Sequence, residues 1–188
     1  MAIHELLAVV PPPVDPIDTG SQAQWEALLE ELGTALPDDL RDIGHHYGSG
    51  AFAQGEIQVF NLFQKEYREI IASQCQILRE TKDGLEPEEI PYAIFPESPG
   101  LFPCGRDNNG NKLTWLTSNN PGDWTIVVID EGDGCEHWKY SLTTFLAKAF
   151  TNEITCSSWW PFEAEQRVFH RGRNQADVYS EISRLRGE

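Results

Sequence analysis

Apolar side chains recur along this chain with two different periods, and the change between them marks its elements. Trp25, Leu28, Leu29 and Leu32 follow helical spacing. Ser21-Gln-Ala-Gln24 before them resembles a capping box, and Gly33 after them supplies a left-handed stop. Pro37 suits the first turn of a second helix, with Asp38 and Asp39 facing its positive end; Leu40, Ile43 and Tyr47 form its stripe, and Gly48 ends it. Glu56–Phe63 reads as a strand, and Lys65–Arg79 as a helix with Tyr67, Ile71, Cys75 and Leu78 on one face. Beyond the acidic loop Asp83–Glu89 the pattern predicts strands at Tyr92–Phe95, Leu113–Leu116, Thr125–Ile129 and Glu136–Tyr140. Asp130-Glu-Gly-Asp-Gly134 is suited to a hairpin because Gly accepts positive φ. Ser141 can cap a last core helix carrying Leu142, Phe145, Leu146 and Phe150.

Strands joined by tight turns and flanked by helices predict one α+β domain on a mostly antiparallel sheet. The run P-P-P-V-D-P within Val10–Ile17 cannot continue a helix, so residues 1–20 are expected to be an extended lead-in. The domain is placed at residues 21–150. Residues 151–188 form a C-terminal extension expected to pack on it through Trp159, Trp160, Phe162 and Phe169, and to end in a helix near Gln175–Arg186.

Composition narrows the function classes. With 188 residues and 40% apolar side chains the chain can bury a core without disulfide or metal staples. Its net charge of −16 repels nucleic acid and anionic membrane. Two readings of that acidity stay open: a field that attracts basic proteins, and a solvated surface that keeps the chain in solution. Residues 1–150 hold 24 acidic and nine basic side chains, so nearly all of the negative charge lies there. The tail carries Arg167, Arg171, Arg173, Arg184 and Arg186, and is expected to dock on its own acidic domain. Cys75, Cys104, Cys135 and Cys156 include no close pair of the kind that metal fingers and redox motifs need. M-A-I-H-E-L-L-A-V-V is too short and too polar for a targeting segment, and no run approaches the ~20 apolar residues of a membrane span. A cytoplasmic protein with reduced thiols is expected.

No catalytic constellation emerges. His45 and His46 adjoin on a helix, so their side chains diverge by about 100° and cannot chelate one metal. Asp107-Asn-Asn-Gly-Asn111 resembles the start of a calcium loop, yet its sixth and twelfth positions hold Lys112 and Ser118, so a turn is expected. Cys135 and His137 would share a strand face but lack an orienting group and an oxyanion site. Phosphate-loop and dinucleotide fingerprints are missing, as is the nucleophile elbow. Trp115, Trp124 and Trp138 could form an aromatic platform, but base stacking also needs a basic groove. Packing in the core or on the sheet is expected, with one of the three exposed. The residues thus call for no enzyme, no cofactor and no metal.

The order of several soft motifs resembles the SUKH superfamily, named partly for the fungal Smi and Knr cell-wall regulators. These are L-G-T-A-L-P-D-D-L at Leu32–Leu40, Y-G-S-G at Tyr47–Gly50, F-P-E-S-P-G-L-F-P-C-G-R-D at Phe95–Asp107, W-L-T at Trp115, and W-T-I-V-V-I-D at Trp124–Asp130. The resemblance covers about Trp25–Phe150 and says nothing of the extension. It implies a single α+β protein-binding scaffold. Bacterial relatives are largely immunity proteins encoded beside toxins, many of them nucleases, and such toxins tend to be basic because they hold phosphates. The implied partner is a basic toxin domain bound stoichiometrically, with a regulatory or assembly scaffold as the alternative; neither nucleic acid nor membrane is an expected partner. Exposed acidic and aromatic groups near the turns are the candidate contacts: Glu97, Asp107, Asp130, Glu131, Asp133 and Trp138. The oligomeric state is not legible.

Overall fold

Ile3, Leu6 and Val10 are spaced three and four apart, and all three are buried. In the computed structural model, which describes residues 2–130 and 134–187, Ile3 and Leu6 belong to a helix, α1 (Ala2–Val9), and Val10 directly follows it. This corrects the expectation of an extended lead-in over 1–20, since the helix occupies residues 2–9 and ends just before the proline run. Tyr47, itself fully buried, donates its hydroxyl to the Val10 carbonyl at 2.6 Å and so anchors the end of α1.

Two helices follow: α2 (Gln22–Leu32) and α3 (Asp38–His46). Ser21 caps α2 by accepting from the Gln24 amide, and Gly33 at φ +64° closes it. The first hairpin pairs β1 (Gly50–Phe52) with β2 (Ile57–Val59). The strand expected over Glu56–Phe63 is shorter because Asn61 turns the chain, its carboxamide accepting from the Phe63 amide and donating to the Asp18 carbonyl. Next, α4 (Tyr67–Asp83) runs four residues past its expected end, where the Lys82 ammonium holds the carbonyls of Ile90 and Tyr92.

The sheet is then built around β4 (Gly100–Asp107), a strand the spacing did not predict. It pairs with the short parallel β3 (Ala93–Ile94) at its start, β2 at its end and β5 (Lys112–Leu116) along its other edge. The register slips between Pro103 and Gly105, a bulge that admits a proline without a ladder donor. The sheet continues through β6 (Thr125–Asp130) to β7 (Gly134–Trp138). After α5 (Leu142–Phe150), the extension returns β8 (Phe169–Arg171) to pair with β1, and ends in α6 (Gln175–Arg186). The strand order is β7-β6-β5-β4-β2-β1-β8, antiparallel except for the β3–β4 pair. The fold is therefore α+β with a mostly antiparallel sheet.

Side chains alternate across β1. Phe52 enters the main core, while Ala51 meets Val178 and Ile182 of α6 on the opposite face. The Y-G-S-G motif has its reason at this junction. Gly48 has φ +69°, and a Cβ there would overlap the Ile17 carbonyl oxygen. The buried Ser49 hydroxyl donates to Asp18 at 2.9 Å and accepts from Asn61 and Gln64. Arg173 forks onto the same Asp18 carboxylate at 2.9–3.3 Å, and holds it below the usual carboxylate range. Lead-in, motif and tail meet on one network.

Candidate protein-binding surface

Strand register sets several strand ends together at one end of the sheet. Arg106 faces Lys112, Lys112 faces Ile129, and Asp130 faces Gly134, so the β4–β5 turn adjoins the Asp130–Gly134 pair. Ile57 faces Asp107, which brings the β1–β2 turn to the same end. The opposite end holds the Leu116–Thr125 pair and the Ile126–Trp138 pair, with Glu97 in the turn just before β4. The five residues of β5 separate the two ends by about 13 Å.

The six candidate contacts are thereby divided. Asp107 and Asp130 lie at the first end; Glu97, which is exposed, and Trp138 lie at the second. Glu131 and Asp133 fall outside the described residues. Two candidates need correction as exposed contacts. Asp107 is 7% exposed, because its carboxylate organises its own turn. Its Oδ1 accepts from the amides of Asn109 and Asn111 at 2.9 and 3.0 Å, and its Oδ2 from the Asn111 carboxamide at 2.7 Å. Trp138 is half-buried, its ring 6.0 Å from Phe145 and its indole nitrogen closed off from solvent. Trp115 and Trp124 are buried too, in a cluster with Phe102. The exposed tryptophan is Trp160, at 86%, where inward packing had been expected of the extension.

The extension reaches the first sheet end through residues 156–168. The indole of Trp159 donates to Asp107 Oδ2 at 3.1 Å, so the buried carboxylate ties the β4–β5 turn to the extension. The carboxamide of Asn152 both accepts from the Phe162 amide and donates to its carbonyl, each at 2.9 Å. Between these supports lies a hollow of about 470 Å³ lined by Glu56, Asp107, Trp159, Trp160, Phe162 and Gln166, among others. Its ionisable lining side chains are both carboxylates. Arg106 of β4 and Lys112 of β5 are outside the lining; the Lys112 ammonium donates to the Gly110 carbonyl, and the Arg106 guanidinium to Gln58.

A second acidic hollow, about 450 Å³, opens at the start of α3 between Asp38, Asp39, Asp42 and Trp124. Its charges have internal tasks. Arg41 pairs with Asp38 and Asp42, and Asp39 Oδ2 accepts from the Thr143 amide at the start of α5. Asp39 Oδ1 is enclosed without a partner, and burial pushes the carboxyl up to about 6. This carboxyl acts as a brace between α3 and α5.

The groups weighed for chemistry are similarly engaged. The ring nitrogens of His137 lie 2.8 Å from the Thr125 hydroxyl and 3.3 Å from the Tyr92 hydroxyl, so its partners are those two rather than Cys135. Burial raises the thiols of Cys75, Cys104 and Cys135, and takes Cys156 up to about 12, which leaves each protonated at neutral pH. His45 is exposed and His46 half-buried in the last turn of α3.

A mostly antiparallel sheet flanked by helices defines an α+β fold. The family model of the SMI1 / KNR4 family (SUKH-1) matches residues 19–150, and the chain belongs to that family. No curated protein and no solved structure matches it. The matched stretch excludes α1 and the whole extension, so Trp159, Trp160 and β8 lie beyond it. No helix among the described residues is long and apolar enough to cross a membrane.

Proposed function

We propose that the chain is a non-enzymatic cytoplasmic domain of the immunity type, which neutralises a basic toxin domain by stoichiometric binding. The observation that carries this reading is the sheet end at the β1–β2 turn, where exposed Glu56 lines a hollow whose ionisable side chains are both carboxylates. Family membership supports a binding role, and the −16 charge suits a partner that itself grips phosphates. The protonated thiols and the engaged His137 leave no activated nucleophile among the residues weighed for chemistry.

The test is co-expression with the product of the neighbouring gene. Restored growth together with one-to-one co-purification is the expected result. A toxic neighbour that this chain neither binds nor suppresses overturns the reading, and moves the weight to a scaffold for endogenous proteins.

A further inference from the structure

Trp160 is the most exposed of the aromatic side chains, and the loop that carries it is fixed on both flanks. On one flank Trp159 faces inward, its ring 5.4 Å from Phe145 and 6.0 Å from Phe162, with its indole nitrogen on Asp107. Before it, the Ser157 amide donates to Glu136 at 3.0 Å. On the other flank Phe162 is buried and held by Asn152, and the Glu163 amide donates to Gln166 at 2.9 Å. A tryptophan held outward by ordered neighbours loses little conformational freedom when something docks on it. Tryptophan is also among the residue types that most often dominate binding energy at interfaces.

Its surroundings choose the occupant. Glu56 and Trp160 line the same hollow, and Glu163 and Glu165 stand exposed on the loop that follows. Asp107 is engaged by four donors, so Glu56 is the lining carboxylate exposed to an incoming group. An indole face beside a carboxylate fits a cation. A guanidinium fits better than an ammonium, because its plane stacks on the ring while its edge presents paired donors to a carboxylate. Leu185, another exposed apolar side chain of the extension, lies between Arg184 and Arg186 and lacks this setting.

We propose that the hollow between Trp160 and Glu56 receives an arginine side chain of the protein partner, stacked on the indole and bonded to the carboxylate. This deepens the protein-binding reading above and rests on it. The receptor joins Glu56, inside the family-matched residues, to Trp160 on the extension outside them.

The test uses the full ¹⁵N-labelled chain titrated with acetyl-Gly-Arg-Gly-amide, against the same peptide carrying citrulline, a neutral isostere of arginine. A saturable shift of the Trp160 indole resonance is expected. Affinity should be at least about fivefold weaker for citrulline, and weaker by about the same factor in Glu56→Gln. Unmoved amide resonances of α5 and β6 would certify that the variant is folded. Equal shifts with citrulline, or shifts confined to other residues, overturn the proposal. Concentration-dependent dimerisation lost in Trp160→Ala would assign the indole to a self-interface, and also overturns it. Full growth protection by Trp160→Ala would sink this receptor while leaving the immunity role standing. An arginine-dependent shift in a chain that protects against nothing would do the reverse.

Discussion

Two carboxyls in this protein are shifted in opposite directions, one by burial and one by an arginine partner. Asp39 and Asp18 make the contrast. Desolvation raises the Asp39 carboxyl to about 6, so the folded state favours its protonated form. A carboxyl raised on folding contributes most when protonated, and its contribution is lost as pH rises from about 4 to 6. For Asp18 the Arg173 bond, the largest cause, lowers the carboxyl; its contribution is present at neutral pH and is lost on acidification through the carboxylate range. Urea midpoints measured from pH 4 to 7 should therefore decline less steeply in Asp39→Asn than in the parent. An unchanged slope would remove Asp39 as the cause. Gly48→Ala places a methyl against the Ile17 carbonyl at a positive φ, and should cost roughly 2–4 kcal/mol in denaturant melts. Those motif positions were visible in the sequence as Y-G-S-G, but their reason was not: the close approach comes from Ile17, about thirty residues earlier.

At the level of elements, legibility followed periodicity. Helices α2 and α3 have one wet face and one dry face, so their spacing shows them directly, while α5, buried along most of its length, was marked by its Ser141 cap and apolar run. Strand β4 is buried on both faces from Gly100 to Gly105, which erases the alternation that marks a strand, and its Pro103 and Gly105 imitate a turn. Helix α1 carried the right spacing in Ile3, Leu6 and Val10, overshadowed by the prolines behind it. The candidate surface was partly legible. Register sets Asp107 and Asp130 at one end of the sheet and Trp138 at the other, which spacing alone does not show, and the Asp107 carboxylate is buried in its own turn. Trp160 was misread because its neighbours Trp159 and Phe162 do pack, and nothing local separates two adjacent indoles pointing opposite ways. The Asn152 clamp is the element-scale device that keeps the loop in place. Asn152→Ala should lower stability by about 1–2 kcal/mol, and should increase the picosecond–nanosecond motion of the Trp160 amide in NMR relaxation. A rigid Trp160 in that variant would mean that Trp159 and Asp107 suffice.

The whole molecule is an acidic body whose extension closes the sheet at β8 and supplies part of one rim. If that rim meets a basic partner, association is steered by long-range charge. The association rate constant should then fall by about tenfold or more between 20 and 300 mM salt in stopped-flow mixing, with a much smaller change in dissociation. A salt-independent association rate would assign the charge to keeping the chain in solution. The most direct test of the central claim is survival of cells expressing the neighbouring toxin together with charge-reversed forms of this chain. Glu56→Lys with Glu163→Lys and Glu165→Lys alters the acidic sheet end; Glu97→Lys with Asp123→Lys, both exposed at the opposite end, makes the control. The account predicts that the first set abolishes protection and co-purification while the control set protects like the parent. Protection lost only in the control set, or retained in both, would contradict it.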